Sequence, residues 1–148
     1  MNNGYKTLSM MIIEAANKLR INCSAANVVE VGSGVGGLTT TLAQSFKSVV
    51  GIDHHHDNVT FSKKVWDDKK VAYHLEGENG ELMSNIITIP SSATPVEYRC
   101  SDYTCIPAEM LGFDVVVLND VIDKVCSLSS SSSSLLSSLS SLSTSLLS

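Results

Sequence analysis

The chain has 148 residues, enough for at most one domain, and its 43% hydrophobic and 5% aromatic content predicts a mostly aliphatic core. A formal net charge of −5 gives no basic footprint for nucleic acid or an anionic membrane, so neither is an expected partner. Cys23, Cys100, Cys105 and Cys126 lack CxxC spacing or a histidine at finger spacing, so they read as reduced thiols and no metal site is expected.

In chain order, Leu8, Met11, Ile12, Ala15, Ala16 and Leu19 share one helical face, predicting a first helix over residues 6–20. Val28 to Val31 is a β-rich run ended by Gly32, a strand entering a glycine turn. Residues 38–46 return to helical spacing, with Leu38, Leu42, Ala43 and Phe46 facing inward. Val49 to Ile52 predicts a second strand closed by Asp53, and Asp57 or Asn58 is placed to cap a helix to about Asp68. Residues 73–95 carry no regular pattern and contain an acidic loop from Glu76 to Glu81. Val96 to Cys100 predicts a third strand, and Phe113 to Leu118, apolar apart from Asp114, a buried fourth. This order predicts an α/β fold, a Rossmann-like doubly wound parallel sheet.

Composition changes at Ser127: the last 22 residues hold 14 Ser, 7 Leu and one Thr. Residues 127–148 are therefore expected to be a disordered low-complexity tail, of the kind a simple pyrimidine-rich repeat encodes, behind a domain at 1–126. With no charged leader and no long apolar run, the expected location is cytoplasmic.

The stretch that carries chemistry runs from Val28 to Leu38. Gly32, Gly34 and Gly37 satisfy GxGxxG between a strand and a helix, where missing side chains let the backbone approach a nucleotide. Asp53 lies 21 residues after Gly32, at the end of the next strand, where a carboxylate accepts the hydroxyls of a ribose. Glu30 distinguishes two cofactor classes. A carboxylate two residues before the first glycine repels a diphosphate and suits the cationic sulfonium and amino group of S-adenosyl-L-methionine. A glycine-rich strand–helix turn without a ligand and an NAD-dependent oxidoreductase fragment are the alternatives.

The run Glu30-Val-Gly-Ser-Gly-Val-Gly resembles motif I of class I S-adenosylmethionine-dependent methyltransferases, with the third glycine at Gly36. Val49-Val50-Gly51-Ile52-Asp53 looks like that family's second-strand motif, and Cys100-Ser101-Asp102-Tyr103 like its adenine-contacting segment. Phe113 to Asp120 resembles its fourth strand and the tip that faces the methyl group. The resemblance implies Glu30, Gly32, Ser33, Gly34, Gly36, Asp53 and Asp102 as cofactor-binding residues. It places Asp120 as the catalytic candidate near the acceptor, with Asp123 behind it. It also implies strands 1–4 of a seven-stranded fold, an incomplete form of the domain whose fourth strand is an exposed edge open to a partner chain or self-association.

A narrower similarity joins Gly51-Ile52-Asp53, Glu76-Gly77-Glu78, Tyr98 to Asp102 with Cys105-Ile106-Pro107, and Asn119 to Val125. Together these look like the methyltransferase domain of ovothiol synthases, which implies a small-molecule acceptor, an imidazole nitrogen of a mercaptohistidine. Ser101-Asp102 stands where that family has Gly-Asp. A non-catalytic nucleotide-binding fragment is the competing expectation. His54-His55-His56 reads as a solvated loop, because consecutive residues leaving a strand point in different directions. Leu118-Asn119-Asp120-Val121 lacks the Asn/Asp-Pro-Pro-aromatic run that clamps a flipped base, which argues against a nucleic-acid amino-methyltransferase.

Overall fold

The computed structural model describes residues 3–76, 80, 82–102, 112–119 and 121. The Ser/Leu tail and its boundary at 126, Tyr103, Asp120 and Asp123 lie outside the described residues.

The elements are α1 (Asn3–Lys18), β1 (Asn27–Val31), α2 (Gly37–Leu42), β2 (Ser48–Asp53), α3 (His56–Asp68), β3 (Lys70–Glu76), β4 (Leu82–Thr88), β5 (Val96–Cys100) and β6 (Val115–Leu118). β5, β2, β1 and β6 form one parallel sheet in that spatial order. The parallel α/β architecture expected from the sequence is therefore present. The chain builds outward from β1 through β2 to β5, then returns to the other side of β1 with β6. That reversal makes the carboxyl ends of β1 and β6 a topological switch point, the place where open α/β sheets hold their ligands.

Alternation along the strands sorts the core into two layers. Val28 and Val49 point to one face and meet Leu38, Leu42, Ala43 and Phe46 from the α2 segment and Ala16 from α1; Trp66 of α3 packs against this cluster. Val29, Val31, Val50 and Ile52 point to the other face with Val121. Asp114, the one polar break in the fourth apolar run, accepts a hydrogen bond from the Asn27 N–H at 2.8 Å, tying the starts of β6 and β1 together.

β6, expected to be a buried strand, is half-buried over Val115 to Val117 and exposed at Leu118, and three further expectations shift. α2 ends at Leu42, short of Phe46, and continues as turns in which Phe46 N–H still reaches the Leu42 carbonyl, so all four inward residues remain buried. α3 starts from His55 as N-cap rather than from Asp57 or Asn58, because the Asn58 amide is turned to Asp53. Residues 73–95, expected to be irregular, hold most of an antiparallel hairpin of β3 and β4, a separate two-stranded sheet that begins at Lys70. Among the described residues no helix is long and apolar enough to cross a membrane.

Candidate functional site

The turn after β1 is built for close approach. Gly32, Gly34 and Gly36 hold φ of +84°, +52° and +80°, a left-handed region that other residues enter at a cost. The Gly32 and Ser33 N–H groups both donate to the Ile52 carbonyl, at 2.8 and 2.9 Å, which clamps the turn to the end of β2. A side chain at Gly36 would place its Cβ 2.6 Å from the Tyr98 hydroxyl. At Gly34 a Cβ would meet nothing within 4 Å, so this glycine is on the open side of the turn.

Asp53 closes the turn from β2. Its Oδ2 accepts the Gly34 N–H at 2.9 Å, while Oδ1 accepts the His55 N–H at 2.9 Å and the Asn58 amide at 3.2 Å. Ser62 of α3 donates to the Asn58 carbonyl at 2.8 Å and reaches the Gly34 carbonyl at 3.2 Å. The carboxylate is 4% exposed, so it organises the turn from beneath.

Glu30 is more deeply placed, with no solvent exposure. Because it shares the Val28 face of β1, it points at α2. There Thr39 Oγ1 donates to Oε2 at 2.5 Å, and Asn119, just past β6, donates from Nδ2 to Oε1 at 3.0 Å. Burial raises its pKa from 4.5 to about 7 and the Asp53 charge adds to this, against the lowering effect of the Thr39 and Asn119 hydrogen bonds. Register extends the row across the sheet: Glu30 pairs with Gly51, and Gly51 with Tyr98. Gly51 leaves space that Thr39 Oγ1 and the Tyr98 ring fill, each 2.9 Å from where a Cβ would stand. Among the described residues the Tyr98 and Ser33 hydroxyls are buried with no hydrogen-bond partner. Burial and the Glu30 charge push the Tyr98 phenol above its ordinary range, with Thr39 offsetting part of the effect.

Glu30, Gly32, Ser33, Gly34, Gly36 and Asp53 thus converge at the carboxyl ends of β1 and β2. Asp102 lies on the same edge: Cys100, two residues earlier, pairs in register with Asp53, and Asp102 is exposed. Asp120 falls outside the described residues. Sequence reasoning passed over Thr39, Tyr98 and Asn119. Their signals were a three-threonine run, Thr39-Thr40-Thr41, of weak helix formers, and an amide at the tip of the fourth strand. His54 Nδ1 lies 3.8 Å from Asp53 Oδ1 and its ring lies against that of His55, with centroids 3.7 Å apart. Among the described residues no group of three or more His, Cys, Asp or Glu is arranged to hold a metal ion. A groove lined by Asn27, Ser48, Pro95 and Phe113 lies at the amino ends of the strands, away from the glycine turn.

Residues 29–139 match a methyltransferase domain family. The chain belongs to that family. Solved structures similar to this methyltransferase domain include an S-adenosylmethionine-dependent methyltransferase from Clostridium acetobutylicum, 15% identical with a TM-score of 0.62, covering 86% of this chain and 41% of that one. Magnesium protoporphyrin IX methyltransferase from Synechocystis with bound S-adenosylmethionine is 18% identical with a TM-score of 0.59, covering 95% and 53%. The same enzyme with bound S-adenosylhomocysteine gives 17% and 0.52, covering 81% and 42%. At these identities the likeness is one of fold. The methyltransferase domain spans about half or less of the length of each of these structures. No curated protein sequence matches it.

Proposed function

We propose that this chain binds S-adenosyl-L-methionine at the carboxyl ends of β1, β2 and β5 and serves methyl transfer to a small-molecule acceptor. The observation that carries this reading is the glycine turn with a buried carboxylate behind it. The turn is open at Gly34, where a ligand can lie against bare backbone, and Glu30 beneath supplies negative potential that favours a cation and opposes a diphosphate. This electrostatic balance argues against a dinucleotide. In this reading Asp53 would accept from the ribose hydroxyls, Ser33 would offer a buried hydroxyl that has no partner among the described residues, and Asp102 would meet the adenine amino group.

The sulfonium supplies an already activated methyl group, which leaves with neither electron of its C–S bond as the acceptor lone pair attacks. The chain's own residues hold the donor and fix its direction, the larger part of such a reaction. Asp120 is the candidate for contact near the acceptor. The motif resemblance to ovothiol synthases makes a mercaptohistidine imidazole nitrogen the first acceptor to test. A neutral imidazole nitrogen needs little help from a base.

Titration calorimetry of the purified chain with S-adenosylmethionine, S-adenosylhomocysteine and NAD tests the reading. Saturable heat with the first two and none with NAD is expected. No heat and no thermal shift with either sulfur ligand would overturn it.

A further inference from the structure

Gly37 has no backbone reason to be glycine. Unlike Gly32, Gly34 and Gly36 it does not hold a left-handed φ, and it opens α2, where alanine is the better helix former. What excludes a side chain there is Tyr5. A Cβ at Gly37 would stand 2.6 Å from Tyr5 Cε2 and 3.1 Å from Cζ, the carbon that carries the hydroxyl. The ring thus lies against bare backbone at the start of α2, with its polar end beside the residue that follows Gly36. Tyr5 heads the row Tyr5, Leu8, Ile12 and Ala16 of α1, and the last three join the core cluster of the α2 segment, so a packed helix holds the ring in place. Yet Tyr5 remains 38% exposed, whereas Tyr98, the ring seated at Gly36, is 3% exposed. Packing alone would have buried both. Tyr5 is fixed at the turn and still presents surface to whatever lies on it.

The helices show which end of a ligand it would meet. α3 packs on β5 and β2, while α1 packs beside α2 and shares its cluster with Val115 and Val117 of β6. With adenine at Asp102 after β5 and ribose at Asp53 after β2, the amino-acid end of the cofactor runs along the turn toward the α1 side. We propose that Tyr5 is a further cofactor-binding residue, which closes the open side of the glycine turn over the amino-acid end of S-adenosylmethionine. The inference rests on the cofactor assignment of the preceding subsection. A phenol suits this end, because its apolar body covers the aliphatic chain and its polar tip donates to the carboxylate. Glu30 favours the sulfonium and the amino group but opposes that carboxylate, which therefore needs a hydrogen-bond donor of its own. Gly37 is bare so that the ring can come this close.

Calorimetric titration of the full chain with S-adenosylhomocysteine and with methylthioadenosine tests the proposal. The second ligand keeps the adenosine and the thioether and lacks the amino-acid end. Tyr5→Phe is expected to weaken S-adenosylhomocysteine binding about fivefold and to leave methylthioadenosine binding unchanged. Tyr5→Ala removes the ring as well and is expected to cost the first ligand about twentyfold. Gly37→Ala pushes the ring off its seat, so its loss should match that of Tyr5→Ala, with no further loss in the double variant. Tyr5→Phe deletes a single oxygen from a part-exposed side chain, and an unchanged melting temperature without ligand shows that the fold is intact. Equal losses for the two ligands in Tyr5→Phe, or no loss for either, overturn the proposal, as do additive losses in the double variant. Failure of the wild-type chain to bind both ligands overturns the cofactor assignment and this inference with it.

Discussion

Thr39 of α2 donates its hydroxyl to the Glu30 carboxylate of β1 at 2.5 Å, in a layer otherwise filled by Val28, Leu38, Leu42 and Val49. A threonine inside a six-residue helix is a poor local choice, since its β-branch limits rotamers and its hydroxyl competes for backbone. Here the hydroxyl satisfies a carboxylate that is closed off from solvent. The residue is explained by its partner rather than by the helix it sits in.

Thr39→Val keeps the shape and removes the donor. The expected loss is about 1–3 kcal/mol of unfolding free energy at pH 8, where Glu30 is ionised and most needs the bond. Urea titration at pH 8 and pH 5 checks this, with the smaller loss expected at pH 5. Equal losses at the two values would show that the hydroxyl matters only for packing.

The stability of the chain should itself depend on Glu30. Its folded pKa, raised from 4.5 to about 7, means the folded state holds a proton that the unfolded state has lost between those values. Stability from this group is therefore fully present below about pH 4.5 and is lost as pH rises through about 7. The whole effect is on the order of 3 kcal/mol, following the size of the shift. Thermal melts at a series of pH values should show Glu30→Gln flattening this slope, with the variant gaining on the wild type as pH rises. A wild-type melting curve insensitive to the substitution across that window would contradict the burial argument.

What the sequence disclosed follows from how strongly each segment is patterned. The β1–turn–α2–β2 unit was legible because two apolar strands, a glycine run and a spaced aspartate all point to one geometry. The β3–β4 hairpin was not. It forms its own sheet with Ser84, Ile86 and Thr88 exposed along β4, and Ile86 is 70% exposed, so burial does not impose a clear apolar period. Glu30 was legible as a position but not as a network. Alternation along β1 does put it on the Val28 side, yet its partners come from a helix nine residues on and a strand tip eighty-nine residues on. Only the sheet register, which sets Glu30, Gly51 and Tyr98 in a row, reveals that Gly51 is small to admit Thr39 and Tyr98.

Two glycines of the same turn should separate stability from binding. Gly36→Ala combines φ +80° with a Cβ 2.6 Å from the Tyr98 hydroxyl, so it strains the backbone and displaces a buried ring. A loss of about 2–4 kcal/mol in stability is expected. Gly34→Ala meets no atom within 4 Å and carries only the backbone penalty, about 1 kcal/mol, but its methyl enters the open side of the turn. It should fold and yet lose S-adenosylhomocysteine binding by at least about tenfold. A Gly34→Ala protein that binds normally would place the ligand elsewhere.

Asp53 should prove to act on the turn and the ligand together. Its two oxygens face three donors, the Gly34 N–H, the His55 N–H and the Asn58 amide, so no orientation of an asparagine serves all of them. In Asp53→Asn either the Gly34 side or the His55 side meets an NH2 group, donor against donor. Loss of one charge-assisted bond and creation of one unsatisfied N–H predict about 2 kcal/mol of destabilisation. The turn, no longer clamped at Gly34, should also show faster amide exchange at residues 32–36 than the rest of β1. Ligand affinity should fall further than stability does, because a ribose would lose its acceptor at the same site. Hydrogen exchange with and without S-adenosylhomocysteine separates the two effects. If the turn loosens in the variant while affinity holds, Asp53 is structural, and the hydroxyls of the ligand are met by another group.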